Sequence, residues 1–286
     1  MSNVLRIAIQ KKGRLFEKSV ALLRDCGISV SNGAGKLIAR ASNFPVEVLY
    51  LRDDDIPKYV EEGVADVGIV GENVLLEEGN PALIEDFLGF SKCRLSLAVR
   101  REVDYPGVSY FEGRKIATTY PTILKGYLDK QGVQAEIEEI SGSVEIAPGI
   151  GLADGICDIV STGSTLLSNG LKEVEQVMQS QAVLIVSPNL APSQQEILDK
   201  LRFRFKAVQK ARRNKYILLN APDDQIEAIS RLIPGMKSPT VLPLADKGWS
   251  SLHSVVPEGE FWEVIDELKN LGAEGILVVP IEKMVL

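Results

Sequence analysis

The chain has a single histidine, His253, among its 286 residues. A Ser–His or Cys–His nucleophile pair would have to be built around this one side chain. The surrounding Ser-Leu-His-Ser-Val-Val is typical of a strand and shows no partner pattern nearby, which favours a histidine on a strand surface. Any chemistry must therefore depend on carboxylates, cations, backbone dipoles and, as a further option, Mg²⁺.

Cysteine is almost as scarce as histidine. The three cysteines, Cys26, Cys93 and Cys157, are far apart in sequence and odd in number. This argues against a disulfide framework and against a zinc cluster. We interpret each of them as a small buried apolar residue.

Long apolar segments and an excess of positive charge are also missing. No apolar run approaches the length of a membrane span, and Arg6 interrupts the first apolar stretch, which is not the pattern of a signal peptide. We expect a cytoplasmic protein with no membrane partner. The formal net charge of −7 argues against non-specific nucleic-acid binding, although a local basic pocket remains compatible with it.

A hydroxyl-rich loop is the most informative feature that the chain does contain. An apolar segment with one acid, Asp158, predicts a short buried strand over 156–160, and a helical pattern begins at Leu166. Strand, small loop and helix start together present unpaired backbone N–H groups to an anion. The alternative is an ordinary helix cap, because Ser and Thr favour helix starts without any ligand. The loop between strand and helix consists of Ser161, Thr162, Gly163, Ser164 and Thr165.

A faint internal duplication links two parts of the chain. Strands are predicted to begin at Arg6 and at Lys115, and each is followed by a helical pattern. Further on, Ala65–Leu75 aligns with Cys157–Leu167. This alignment pairs Asp66 with Asp158 and Gly71 with Gly163.

Alternating strands and helices predict α/β units around largely parallel sheets. We expect a first lobe from 1–94 plus 187–211 and a second lobe from 95–186. Extended segments near Leu95–Val99 and Ala182–Val186 would cross between the lobes. Loops at the carboxyl ends of the strands would then face a shared cleft.

The last segment, 212–286, has a different pattern. Its predicted elements follow the order βαββαβ, which is typical of a ferredoxin-like domain. It contains no cluster of acids or bases that would indicate chemistry. A regulatory or assembly role is the interpretation that this composition favours.

The residues of the hydroxyl-rich loop and its surroundings resemble the signature of the ATP phosphoribosyltransferase family, which begins histidine biosynthesis. The matching positions are Glu145, Gly151, Ala153, Ile156, Asp158-Ile159, Thr162-Gly163 and Thr165-Leu166. The resemblance extends to Ile9–Leu15, Leu51–Pro57, Val70–Val74, Cys93–Ala98 and Pro239–Ala245. It implies an α/β fold with a two-lobed, periplasmic-binding-protein-like catalytic core and a C-terminal ferredoxin-like regulatory domain. This is the long form of the enzyme, for which no separate regulatory subunit is expected.

The family's reaction joins N1 of the adenine of ATP to C1 of phosphoribosyl pyrophosphate and releases diphosphate, with Mg²⁺ as cofactor. The resemblance implies that the loop 161–165 holds the 5′-phosphate of the phosphoribosyl donor. It also implies catalytic roles for Asp154, Asp158 and Glu145 near the ribose. Alternatively, Asp158 only satisfies backbone groups, and Glu145 is a solvated surface residue.

Several cations and one acid are candidates for binding ATP. Lys11 and Arg14 flank Gly13 at a predicted helix start, where the helix dipole disfavours positive charge, so a polyphosphate would explain them better than solubility does. Arg52 precedes Asp53, Asp54 and Asp55, which we interpret as acids that stabilise the first turn of a helix. The alternative is a nucleotide or Mg²⁺ role for one of them. Glu72 and Arg94 complete this set by analogy with the loops of the predicted cleft.

Regulation and assembly follow from the resemblance alone. It implies inhibition by histidine bound between C-terminal domains of neighbouring subunits, with Asn220, Thr240 and Gly275 at the matching positions. A homo-oligomer, a dimer or a hexamer, is expected.

Two other functions remain compatible with the loop. The phosphoribosyltransferases of purine and pyrimidine salvage have a similar donor loop, but paired acids directly before it are missing here. A two-lobed solute-binding protein without chemistry would leave the last domain unexplained.

Overall fold

The computed structural model describes residues 4–30, 36–80 and 83–285. The chain divides into two compact units, Met1–Leu198 and Asp199–Leu286. The division falls within the long helix α6 (Pro192–Arg212). The unit boundary therefore precedes the predicted start of the last domain at residue 212.

The first unit contains two sheets, and the first of these is built mainly from the amino-terminal part of the chain. Its strands are β1 (Leu5–Gln10), β2 (Ile38–Arg40), β3 (Val46–Leu51), β4 (Val67–Gly71), β5 (Ile84–Phe87) and β11 (Ala182–Val186). Their order is β2-β3-β1-β4-β11-β5, and β1 pairs in parallel with β3 and β4. The helices between these strands are α1 (Arg14–Asp25), α2 (Ile56–Glu61) and α3 (Glu72–Glu77).

The second sheet lies between the crossing segments of the chain. Its strands are β6 (Cys93–Arg100), β7 (Lys115–Thr118), β8 (Glu136–Glu139), β9 (Gly155–Val160) and β10 (Leu171–Ser180), with helices α4 (Pro121–Gln131) and α5 (Ser164–Ser168). The order is β10-β6-β9-β7-β8, in which β7 pairs in parallel with β8 and β9. The edge strand β10 was not predicted, because its alternation is interrupted by two bulges and carries many polar residues.

The predicted crossing segments do connect the two sheets. Strand β6 pairs antiparallel with β9 in the second sheet, and β11 returns to pair antiparallel with β4 in the first. Strand β11 therefore belongs to the first lobe, and the predicted end of the second lobe at residue 186 is corrected. Its apolar sequence marks it as a buried strand but does not specify which sheet it joins.

The duplication is present, but one part of the predicted alignment is wrong. The Asp66 carboxylate accepts the N–H of Arg6 at 2.6 Å, while its own N–H donates to the Arg6 carbonyl. Asp154 makes the same pair of contacts with Lys115, whose N–H lies 3.0 Å from its carboxylate. Asp66 is thus the counterpart of Asp154 rather than of Asp158. The predicted pairing of Gly71 with Gly163 depends on the same alignment and is also wrong. The apolar residues after each acid make the two registers indistinguishable in sequence.

Both faces of the second sheet are buried, as in other α/β units. One face packs Leu95, Leu97 and Ile116 against Phe111 and α4. The opposite face packs Ala98, Ile156, Val160 and their neighbours against Leu166. Gly155 lies at the start of β9, where a Cβ atom would come within 2.6 Å of the Phe111 ring and 2.9 Å of the Ala98 carbonyl oxygen.

The second unit has the predicted ferredoxin-like order. Its strands are β12 (Asn214–Pro222), β13 (Thr240–Pro243), β14 (Trp249–Pro257) and β15 (Glu274–Pro280), with helices α7 (Ile226–Leu232) and α8 (Glu258–Asn270). All neighbouring strands are antiparallel in the order β13-β14-β12-β15. Alternate residues of β12, Ile217, Leu219 and Ala221, pack in a core with Phe261 and Leu268 of α8.

The expectations about the cysteines and about membrane-spanning segments can be compared with this structure. The three cysteines are free, and Cys26 and Cys157 are buried as expected, whereas Cys93 is only partly buried. No helix in the described part of the chain combines the length and apolar character that crossing a membrane requires.

We predict that Gly155→Ala lowers the free energy of unfolding by about 1–3 kcal/mol, because the added methyl group overpacks against Phe111 and a backbone carbonyl. Urea denaturation measures this loss.

The matched control is Gly126→Ala in the exposed middle of α4, where a Cβ would meet no described atom within 4 Å. This change should stabilise the helix by about 0.5–1 kcal/mol. Equal stability of the two variants would contradict the packing described for Gly155.

Candidate active site

Two adjoining cavities lie where the carboxyl ends of parallel strands from both sheets meet. The first has a volume of about 360 Å³ and is lined from both lobes, and the second, about 350 Å³, is formed chiefly by the loop after β9. They share Arg14, Ile159 and Ser161, so they form one continuous cleft. This is the position at which open α/β sheets bind ligands.

The loop 161–165 forms the wall of the second cavity, as the sequence predicts. Gly163 has a φ of 79°, a left-handed conformation that glycine adopts without strain, and it turns the chain into α5. The first bond within α5 runs from the N–H of Leu167 to the Gly163 carbonyl. The Ser164 N–H makes a long contact of 3.5 Å with the Thr162 hydroxyl, and the next N–H groups of the helix start have no acceptor within the helix itself. The Thr162 and Ser164 hydroxyls lie 3.0 Å apart at the exposed surface of the loop.

Asp158 lines the same cavity beside Glu145. It lies near the carboxyl end of β9, and its carboxylate accepts the N–H of Ile159 at 2.7 Å. Burial raises the pKa of Asp158, and the nearby negative charge of Glu145 raises it further. Glu145 is partly exposed on a 3₁₀ turn, Val144–Ile146, that packs against β9. The structure therefore brings two of the three predicted catalytic acids together.

Asp154, the third predicted catalytic acid, lies elsewhere. It precedes β9, and the six residues of that strand, at about 3.3 Å each, separate it from the loop. Its carboxylate accepts the Lys115 N–H and lies 3.7 Å from the guanidinium of Arg114. The structure corrects its assignment: Asp154 fixes the start of two parallel strands at the end opposite the cleft.

The cations predicted on the first lobe are exposed around the start of α1. Gly13 is the residue before the helix, with a φ of 92° and no side-chain cap, and Arg14 lines both cavities of the cleft. Lys11 and Arg52 line a third cavity of about 360 Å³. The Arg52 guanidinium also lies 3.8 Å from the Asp54 carboxylate. Four of the predicted ATP-binding residues thus lie on neighbouring loops.

Glu72 and Arg94 have different surroundings from those predicted. Neither Glu72 nor Arg94 is among the described residues that line the three cavities. Burial raises the pKa of Glu72, whose backbone N–H donates to the Gln181 carbonyl. Arg94 forms a two-pronged ion pair with Glu173, which lowers the pKa of that carboxyl, and a guanidinium nitrogen lies 3.4 Å from the Ser161 carbonyl. Arg94 therefore positions the start of the loop.

The first cavity is also lined by Asp53, one of the three aspartates after Arg52, and by Asn73 and Tyr120, which were not predicted as site residues. Asp53 accepts a hydrogen bond from the Gln10 side chain at 3.2 Å. The Tyr120 hydroxyl accepts one from the Asn73 side chain at 3.2 Å. Burial, reinforced by the charge of Asp158, raises the pKa of Tyr120 to about 12, so the phenol keeps its proton near neutral pH. The duplication contained a signal for Tyr120, because it follows β7 just as Lys11 follows β1.

The predicted effector residues are spread over the sheet of the second unit. Asn220 on β12 lies beside β15, and its side-chain amide would be 3.3 Å from a Cβ at Gly275. Thr240 lies on the other edge strand, opposite His253. His253 is on the strand surface as expected, with its ring nitrogens 3.0 Å from the Tyr216 hydroxyl and 3.2 Å from the Ser251 hydroxyl. Only Asn220 and Gly275 are brought into contact.

Comparisons with known proteins identify relatives along the whole chain. A family model described as ATP phosphoribosyltransferase matches residues 52–207, and a model of the HisG C-terminal domain matches residues 211–283. Proteins named ATP phosphoribosyltransferase from Phocaeicola vulgatus and Cytophaga hutchinsonii are each 59% identical to this chain. The alignments cover 99% and 100% of this chain, respectively, and 100% of each relative.

Comparisons with solved structures identify the fold. A chain of the ATP phosphoribosyl transferase (HisG:HisZ) complex from Thermotoga maritima has a TM-score of 0.60 and 29% identity, and the match covers 71% of this chain and 99% of that one. Tv2483 bound to L-arginine has a TM-score of 0.50 at 12% identity, covering 72% of this chain and 84% of that one, a likeness of fold alone. The two-lobed, periplasmic-binding-protein-like core and the added C-terminal domain are confirmed.

We predict that Asp158→Asn raises the melting temperature at about pH 7. The raised pKa means that the folded state binds the proton more tightly than the unfolded state does. The ionised carboxylate therefore reduces stability once the pH exceeds the ordinary pKa, and Asn removes this cost. Thermal unfolding should show the gain shrinking as the pH falls towards about 3, below the ordinary pKa of an aspartate, where the acid is protonated in both states.

Asp154→Asn is the matched comparison and should lower the melting temperature, because its carboxylate holds a backbone N–H and lies near a guanidinium. A shift of the same sign in both variants would contradict the different surroundings of the two aspartates.

Proposed function

This chain belongs to the ATP phosphoribosyltransferase family, and we propose that the cleft between its lobes binds the two substrates of that family's reaction. The reaction, the first step of histidine biosynthesis, joins N1 of the adenine of ATP to C1 of phosphoribosyl pyrophosphate and releases diphosphate. The observation that carries this proposal is the continuous cleft in which Arg14 from one lobe and the loop 161–165 from the other meet.

The phosphoribosyl donor is assigned to the second lobe. The N–H groups at the start of α5 and the hydroxyls of Ser161, Thr162, Ser164 and Thr165 are donors suited to the three oxygens of a 5′-phosphate. Gly163, with its left-handed φ of 79°, permits the turn that leads from these loop residues into α5. The absence of a side-chain acid within the loop keeps its surface compatible with an anion.

Asp158 and Glu145 are assigned to the ribose. As diphosphate leaves, C1 of the ribose becomes cationic, and a carboxylate nearby stabilises that charge. Because Asp158 is partly buried, its charge acts at lower dielectric than at the surface. The adenine N1 attacks with its own lone pair, so no strong base is needed to begin the reaction.

ATP is assigned to the cations of the first lobe. Lys11, Arg14 and Arg52 surround the start of α1, and Gly13 allows the backbone to approach a phosphate closely there. Arg14 also lines the donor cavity, which places one guanidinium within reach of both polyanions. Arg94 supports the donor loop through its contact with the Ser161 carbonyl.

Mg²⁺ is proposed to arrive with the substrates. Within residues 4–30, 36–80 and 83–285, no three His, Cys, Asp or Glu side chains form a group able to hold a metal ion by themselves. Mg²⁺ commonly uses one or two carboxylates together with substrate phosphates, and Asp53, Asp158 and Glu145 line the cleft. The bound ion would neutralise charge on the departing diphosphate.

The second unit is proposed to bind histidine as an inhibitor between copies of the chain in a homo-oligomer. Asn220 offers an amide beside Gly275, where any side chain would come within 3.3 Å of that amide. Thr240 would contribute its hydroxyl from the exposed strand β13. Because regulation resides in the chain itself, no separate regulatory subunit is needed. Histidine would act by favouring one arrangement of subunits.

We predict that Thr162→Ala and Thr165→Ala each raise the KM for phosphoribosyl pyrophosphate, because a hydrogen bond to a charged phosphate contributes roughly 1.5–3 kcal/mol. Steady-state formation of phosphoribosyl-ATP measures this, with the KM for ATP expected to change little.

Ser193→Ala, at the exposed start of α6, is the matched control. Unchanged donor KM values in both Thr variants would reduce these residues to helix caps. Diphosphate release with orotate or hypoxanthine, but not with ATP, would contradict the proposed substrates.

For regulation, we predict that Asn220→Ala raises the histidine concentration needed for half-inhibition by roughly tenfold or more, because one hydrogen-bonded contact is lost. The uninhibited kcat should stay close to that of the wild type. The control is Asn270→Ala, which removes an exposed amide at the last residue of α8. Unaltered inhibition in Asn220→Ala would place the effector elsewhere.

A further inference from the structure

Helix α4 of the second lobe receives its amino-terminal cap from the first lobe. Tyr120, the residue before the helix, supplies no side-chain cap. Instead, the two carboxylate oxygens of Glu77, at the end of α3, accept the N–H groups of Thr122 at 2.7 Å and Ile123 at 3.0 Å. These are the donors that a helix start leaves unpaired, and a carboxylate there also meets the positive end of the helix dipole.

A second contact joins the same two helices beside the cavity. The Asn73 side-chain amide in α3 donates to the Tyr120 hydroxyl at 3.2 Å. Asn73 is only 7% exposed. Its side chain is held by Ser180, whose hydroxyl donates to the Asn73 side-chain oxygen Oδ1 at 2.8 Å. Ser180 is the last residue of β10 in the second sheet and is itself buried, so this hydrogen bond also joins the two lobes.

The position of this link gives it influence over the cleft. Asn73 and Tyr120 both line the first cavity, whereas Glu77 lies one turn further along α3. The crossing strands β6 and β11 connect the lobes through the chain itself. Two backbone connections alone leave a hinge between lobes, and non-covalent contacts across the cleft set the angle at which the lobes meet.

We propose that Glu77 is a positioning residue for the transfer reaction: by capping α4 from the opposite lobe, it sets the separation between the nucleotide on the first lobe and the phosphoribosyl donor on the second. This rests on the proposed assignment of one substrate to each lobe. Each substrate contacts mainly its own lobe, so changing the angle between lobes alters binding little. The adenine N1 and the ribose C1 must come into reacting distance, so the same change slows the chemical step.

The test uses Glu77→Gln and Glu77→Ala in the full-length protein. Gln retains one acceptor oxygen for the two N–H groups and Ala retains none, so kcat should fall about tenfold in the first and about 100-fold in the second. The dissociation constants of ATP alone and of phosphoribosyl pyrophosphate alone, measured by calorimetry, should stay within about twofold of the wild type.

Glu78→Gln removes the same charge from the next, exposed residue of the chain and serves as the control. The melting temperature of each variant is determined first. The kcat is then measured well below that temperature, where the protein is folded. Wild-type kcat in both Glu77 variants would overturn the proposal. Weakened binding of one substrate that accounts for the whole loss of activity would also overturn it, because Glu77 would then shape a single subsite.

The same measurements separate this proposal from the assignment on which it depends. If Thr162→Ala and Thr165→Ala leave the donor KM unchanged, the assignment of the donor to the second lobe fails, whatever the Glu77 variants do. If those variants behave as expected while Glu77→Gln and Glu77→Ala keep wild-type kcat, only the positioning role fails.

Discussion

The two crossings of the chain between the sheets are the constraint on which the cleft depends. Strand β6 follows the first lobe in sequence but pairs with β9, and β11 follows the second lobe but pairs with β4. Both strands lie antiparallel to the parallel strands beside them, so each crossing enters its sheet at the carboxyl ends of those strands. The carboxyl ends of β4 and β9 therefore lie beside the crossings, and Cys93 and Ala182, the first residues of β6 and β11, line the cleft.

The duplicated lobes keep one interaction and differ in what they add to it. Asp66 and Asp154 each close the start of two parallel strands by accepting a backbone N–H. This is a structural device that both copies need, since it fixes the register of the central strands. Asp158 has no equivalent carboxylate in the first lobe. Burial raises its pKa, so we expect the ionised carboxylate to reduce stability near neutral pH. A carboxylate kept at that cost, in one copy only, is where a site for chemistry is expected.

Local features of the fold and the site were predictable from sequence, and features set by distant contacts were not. The order of elements in the last domain, the start of α5 and the cavity-lining position of Ser161–Thr165 all depend on nearby residues. Asp154 was misassigned because an acid before a short strand can serve either end, and only the pairing of β7 with β9 decides which. Tyr120 was missed because its place in the cavity depends on Asn73 in the other lobe.

The division of charge between the lobes explains how an acidic chain with one histidine can join two polyanions. The first lobe presents Arg14 and Lys18 to the cleft, and Lys11 and Arg52 to the third cavity. The second lobe presents neutral N–H and hydroxyl groups together with Asp158 and Glu145. Cations near the phosphates and carboxylates near the ribose oppose the two kinds of charge that develop as diphosphate departs.

Such an arrangement is useful only if the two sets of groups are held at the correct separation, because electrostatic stabilisation acts at the reacting atoms and falls off with distance. Neither lobe contains a complete site. The contacts that cross from α3 to α4 therefore belong to the site as much as the groups that touch a substrate, since they decide where the charges of one lobe stand relative to those of the other.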